Sequence, residues 1–142
     1  MASLARRAQS RAELRRKLVQ KGHDPVEVEA ALNRAVERGY LDDAAYARSL
    51  VTRRAVGRGA SAIAAELRAK GVSRDEADAA IAGLEAGSED EAAGRLALRL
   101  VKPGADAAEL QRVVSKLIRR GFAPRIAWTV TRQAARGGHP ED

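Results

Sequence analysis

The stretch Leu14-Arg15-Arg16-Lys17-Leu18-Val19-Gln20-Lys21-Gly22 returns twice along the chain, as Ile63 through Leu67 to Gly71 and as Val113 through Leu117 to Gly121. In each copy two aliphatic residues stand four apart, a basic residue follows (Lys21, Lys70, Arg120), and a glycine closes the run. The glycines are 49 and 50 residues apart, so this is an internal repeat. An i, i+4 aliphatic pair marks the buried stripe of a helix, and glycine just past a cation fits the left-handed position that ends one. A second apolar-periodic segment follows each glycine. The unit is therefore a helical repeat of about 50 residues that buries its apolar face against its neighbours.

Working outward, the helix starts are as legible as the stops. Ser10 with Glu13, Ser73 with Glu76 and Ser88 with Glu91 carry the capping-box pattern, Asp24-Pro25 reads as N-cap and first helical residue, and Asp42 and Asp106 read as further caps. These signals divide the chain into repeat 1 (residues 1–39, its first helix shortened), repeat 2 (40–86), repeat 3 (87–136) and a disordered tail (137–142). Residues 1–9 read as the end of a preceding helix, Gly57-Arg58-Gly59 as a short flexible basic linker, and residues 85–90 as a hinge between two lobes. No run of β-branched alternation is longer than a few residues. The fold class is all-α: tandem three-helix repeats stacked into an elongated, curved, solenoid-like array.

Composition bounds the core and the partners. Of the 142 residues 45% are hydrophobic but only 3% aromatic, so alanine lets helices approach closely while Leu, Ile and Val fill the space between them. Trp128 and Phe122 read as core fillers of repeat 3 rather than base-stacking platforms, and Tyr40 and Tyr46 as packing residues with wet hydroxyls. The chain has no cysteine, which removes disulfides and thiolate metal sites, and it carries neither a run of about 20 apolar residues nor an export signal. A cytoplasmic monomer without membrane contact is expected.

The net charge of +7 is unevenly placed: residues 1–71 hold 15 Lys and Arg against 8 Asp and Glu, whereas residues 72–142 hold 11 of each. A basic surplus in the first half suits nucleic acid or an acidic protein surface. The candidate contact residues are Arg11, Arg15, Arg16, Lys17, Lys21, Arg53, Arg54, Arg58, Arg68 and Lys70. Catalysis finds little support. His23 and His139 lack a second ligand or a carboxylate partner at metal or acid–base spacing, no phosphate-binding loop is present, and Asp42 and Asp43 are explained by a helix start. Neither a cofactor nor a metal is expected.

The ordered set Ser10-Arg11-Ala12-Glu13-Leu14, Lys17-Leu18, Lys21-Gly22, Gly39-Tyr40-Leu41-Asp42-Asp43, Tyr46-Ala47, Gly59, Ile63, Glu66-Leu67, Lys70-Gly71, Leu117 and Arg119-Arg120-Gly121-Phe122 resembles the RecX family of recombination regulators. The resemblance spans nearly the whole chain. It implies a curved stack of three-helix repeats without catalytic activity, which lodges in the groove of the RecA–single-stranded-DNA filament. There it would inhibit filament growth, strand exchange, ATP hydrolysis and the coprotease activity that triggers the DNA-damage response. Two alternatives stand beside it. A helix, a glycine turn and another helix is also the spacing of a helix-turn-helix, so a basic protein binding single- or double-stranded DNA directly is one; against it, the helices that would read DNA in the first two repeats carry Glu27, Glu29, Asp75, Glu76 and Asp78. A structural helical adaptor is the other.

Overall fold

The computed structural model describes residues 9–137. The expectations for residues 1–8, for His139 and for the tail beyond Gly137 lie outside them. The described residues form eight α-helices and no strand: α1 (Arg11–Gln20), α2 (Pro25–Glu37), α3 (Asp43–Arg54), α4 (Ala60–Ala69), α5 (Arg74–Ala82), α6 (Ser88–Leu100), α7 (Ala107–Arg119) and α8 (Pro124–Ala135). The boundaries follow local chemistry. Ser10 caps α1 with Glu13 as its reciprocal partner, Asp24 caps α2 ahead of Pro25, Ser73 accepts from the Glu76 amide, and Asp106 and Glu109 form a second complete capping box. Each such cap satisfies amides that the helix itself leaves unpaired. The helix at Ser88 departs from expectation: Ser88 is its first residue, and Gly87, at φ 85°, precedes it without a side-chain cap. The nearby Glu89 carboxylate instead accepts from the Ala60 amide at 2.9 Å.

The chain divides into two compact units. The first comprises Met1–Leu50 and Glu66–Gly83, the second Val51–Ala65 and Leu84–Asp142. In the first, α1 packs on α2, and Val28, Leu32 and Leu41 form a buried cluster flanked by Leu14, Leu18 and Ala35. Leu14 and Leu18 are only half-buried, and α1 contains no buried residue. In the second unit α6, α7 and α8 pack on one another around Ala92, Ala93, Leu96, Ala97, Val114, Leu117, Phe122, Ile126, Ala127 and Val130. Four of these ten are alanines, which draws the helix axes together and lets Phe122 fill the centre at 2% exposure.

Each unit contains the same joint. In the first, the Ser10 hydroxyl donates to the Lys70 carbonyl, and a Cβ added to Gly71 (φ 87°) would overlap the Ala12 methyl. In the second, the Gly59 amide donates to the Arg120 carbonyl at 2.9 Å and the Ser61 amide to the Gly121 carbonyl at 3.3 Å. A Cβ on Gly121 (φ 97°) would overlap Ala62 there, and one on Gly59 would overlap the Gly121 carbonyl group and the Phe122 nitrogen. The glycine that ends one helix is thus also the seat for the first turn of another. This overturns the reading of residues 57–59 as a flexible linker: Gly59 is buried and bonded, and the Arg120 guanidinium donates to the Gly57 carbonyl at 3.3 Å.

Candidate functional site

The ten candidate cations fall into distinct environments. On the first unit, α1 leaves its glycine-closed end and the chain returns through Gly22 into α2, which brings Glu29 opposite the start of α1. Arg15 meets Glu29 through Nε at 2.8 Å and through a second nitrogen at 3.2 Å, and Arg11 approaches the same carboxylate at 3.4 Å while donating to Asn33 at 2.9 Å. The hydrogen bond from Arg15 is the main cause that holds the Glu29 carboxyl below its ordinary pKa, and the same bond raises that of the Arg15 guanidinium. Two of the candidates therefore tie α1 to α2.

Lys70 is also engaged. Its ammonium lies 3.7 Å from Glu13, whose other oxygen accepts from the Ser10 amide, and its carbonyl takes the Ser10 hydroxyl. Lys17 donates to the Gln9 side chain at 2.9 Å. Arg16, Lys21 and Arg68 are exposed and make no side-chain hydrogen bond or ion pair among the described residues. Arg53, Arg54 and Arg58 each have an interaction of their own, with Arg53 and Arg58 exposed and Arg54 half-buried.

The second unit carries a cationic surface that the half-chain charge balance concealed. The eleven acidic residues after residue 71 crowd into 75–91, 106–109 and the last two positions, so residues 92–137 hold ten Lys and Arg against two acids. A window of one repeat, rather than half the chain, would have found it. Lys102, Arg112, Lys116 and Arg119 line a cleft of about 650 Å³ together with Leu100, Val101, Val113 and the cap residue Glu109. On α8 Arg125 and Arg132 are exposed, as is Arg136 at its C-cap, and Trp128 is 38% exposed with the Arg132 guanidinium 5.3 Å from its ring centroid. Trp128 is thus a surface residue, contrary to its reading as core, because the inward face of α8 is filled by Ile126, Ala127, Val130 and Thr131. Tyr40 likewise lies 40% exposed, whereas Tyr46 and Phe122 are buried as expected.

Among the described residues no group of three or more His, Asp or Glu side chains is placed to hold a metal ion, and no helix is long and apolar enough to cross a membrane. Tandem three-helix units built on glycine-stopped helices define a class of small all-helical proteins. Residues 1–34 match the first three-helix domain of RecX and residues 42–81 the second. The regulatory protein RecX of Mycobacterium sp. (strain JLS) is 40% identical over 136 residues, covering 89% of this chain and 74% of its own length. That of Leptothrix cholodnii is 39% identical over 131 residues, covering 92% and 83%. The chain belongs to the RecX family. A crystal structure of RecX from Lactobacillus salivarius superposes with a TM-score of 0.81 at 20% identity, covering 94% of this chain and 90% of that one, and a second RecX crystal structure gives 0.82 at 23%, covering 92% and 68%. At those identities the likeness speaks for the fold.

Proposed function

We propose that this protein is a non-enzymatic, cytoplasmic regulator that acts as a monomer on the RecA–single-stranded-DNA filament, seating in its helical groove and inhibiting filament growth, strand exchange, ATP hydrolysis and coprotease activity. The observation that carries the reading is the match of both three-helix domains to RecX, together with 40% identity to a regulatory protein RecX over nearly the whole chain. Repeats 1–39, 40–86 and 87–136 each offer a helix, a glycine turn and a helix, so a groove would be met by many modest contacts in series. Of the candidate cations, Arg16, Lys21 and Arg68 are the ones exposed without a side-chain partner among the described residues, and they are assigned to acidic RecA surface or filament phosphate. Arg53, Arg54, Arg58, Lys17 and Lys70 are assigned supporting contacts, while Arg11 and Arg15 hold α1 in place through Glu29.

The test is RecA's single-stranded-DNA-dependent ATPase with this protein titrated in at two salt concentrations. Inhibition well below one copy per RecA, weakened at higher salt, is the expected result. Reversing the charges of Arg16, Lys21 and Arg68 should raise the half-inhibitory concentration about tenfold. Full ATP hydrolysis at saturating protein on RecA-coated DNA would overturn the proposal.

A further inference from the structure

The last helix of each repeat is the one that follows the glycine turn, and the third copy differs in charge from the other two. Within α2 stand Glu27, Glu29 and Glu37, and within α5 stand Asp75, Glu76 and Asp78. Helix α8, Pro-Arg-Ile-Ala-Trp-Thr-Val-Thr-Arg-Gln-Ala-Ala, has no carboxylate. Its cations are ordered as well. Arg132 and Arg136 follow Arg125 by seven and eleven residues, which at 3.6 residues per turn is close to two and three whole turns, so the three project along one stripe. At about 1.5 Å per residue Arg125 and Arg132 are roughly 10 Å apart along the axis, and Arg132 and Arg136 roughly 6 Å.

Trp128 lies beside this stripe, exposed, with the Arg132 guanidinium over its ring. An indole left in water at the cost of its apolar area calls for a partner. Protein-binding tryptophans stand at the centre of an apolar patch with a polar rim. Here the exposed residues one turn away from Trp128 on α8 are Pro124, Arg125 and Arg132, two of them guanidinium groups and none a large apolar side chain. An isolated aromatic ring among guanidinium groups instead has the make-up of a single-strand platform, where bases stack on the ring and cations follow the backbone.

We propose that the exposed face of α8 binds single-stranded nucleic acid, with Trp128 as the base-stacking platform and Arg132 and Arg136 on the phosphates. Arg125 contributes less, because it lines a cleft of about 510 Å³ that also holds Asp90 and Glu91. Unpaired strand is the form that fits: bases in a duplex are already stacked on each other and cannot reach the ring.

Trp128 is the chain's single tryptophan, so its emission reports this face alone. The experiment is a fluorescence titration of the full chain, with RecA absent, against oligo(dT), a duplex of equal length and poly-glutamate. Saturable quenching by oligo(dT), weaker with duplex and absent with poly-glutamate, is expected. Two to three phosphate contacts give a slope of log affinity on log salt of about −1.4 to −2. By anisotropy of labelled oligo(dT), Trp128→Ala should weaken binding about tenfold with the salt slope kept. Arg132→Ala with Arg136→Ala should flatten that slope by about 1.4. Both substitutions fall on exposed positions, and circular dichroism checks that α8 remains helical. Saturated oligo(dT) binding without any change in Trp128 emission, no binding of oligo(dT) at low salt, or equal quenching by poly-glutamate would each overturn the proposal. Because RecA is absent, these outcomes are separate from those of the ATPase test.

Discussion

The α1–α2 pair of the first unit and the α7–α8 pair of the second have the same plan of helix, glycine turn and helix, but they are held together differently. In the first, Leu14 and Leu18 are half-buried, and Arg11 and Arg15 close the gap by sharing the Glu29 carboxylate. In the second, Val114, Leu117, Phe122, Ile126 and Val130 form a dense core, and the arginines of α8 remain exposed. Where apolar side chains suffice to join two helices, cations are released to the surface. Where they do not, cations are committed to the joint, and a count of charge by sequence overstates what is available to a partner.

The comparison breaks most readily at the core. Phe122→Ala should cost about 3–5 kcal/mol of unfolding free energy, as truncation of a buried aromatic does, whereas Leu14→Ala on the half-buried seam should fall below the 2–5 kcal/mol typical of buried leucine. Urea titrations of the two variants decide it; equal costs would mean that the seam of α1 is packed as tightly as the core of the second unit.

A smaller contrast concerns the turns. Gly22 and Gly121 have similar left-handed backbones, φ 88° and 97°, but an added Cβ meets nothing within 4 Å at Gly22 and overlaps Ala62 at Gly121. Gly22→Ala should therefore cost only the backbone strain, about 1–2 kcal/mol, and Gly121→Ala distinctly more. Thermal melts of the pair measure the contribution of the joint alone.

The smallest effect is electrostatic. The Glu29 carboxyl has a folded pKa below its unfolded value, so its contribution to stability is present above the unfolded pKa, about 4.3, and is lost as pH falls through the folded one. Glu29→Gln should be slightly less stable than the parent at neutral pH, and the gap should close on acidification through that range. A gap independent of pH would show that the paired arginines act by packing instead.

The contrast also marks what could be read from the sequence. Caps and glycine stops were legible, because each depends on residues three or four apart: Ser10 and Glu13, Asp24 and Pro25, Asp106 and Glu109. The same local rule failed at Ser88, where the left-handed backbone of Gly87 starts the helix one residue earlier than a Ser88 cap would require. Partners chosen by tertiary packing were not legible. That Arg11 and Arg15 face Glu29 depends on how α2 folds back, and that Trp128 faces outward depends on four smaller residues filling the inner face of α8. The acids of residues 75–91 also cancelled the later cations in any broad average, so the surface of the third repeat went unseen.

The two joints carry a consequence for the order in which the protein is made. The Ser10 hydroxyl waits for the carbonyl of Lys70, 60 residues later, and Gly59 waits for Arg120. At the usual pace of synthesis, about 5–20 residues per second, each helix start emerges from the ribosome roughly 3–12 s before its seat exists. A nascent chain of this protein therefore carries, for seconds at a time, a helix start whose distant partner has not yet been made, and the last glycine turn to be synthesised is the one that closes the second unit.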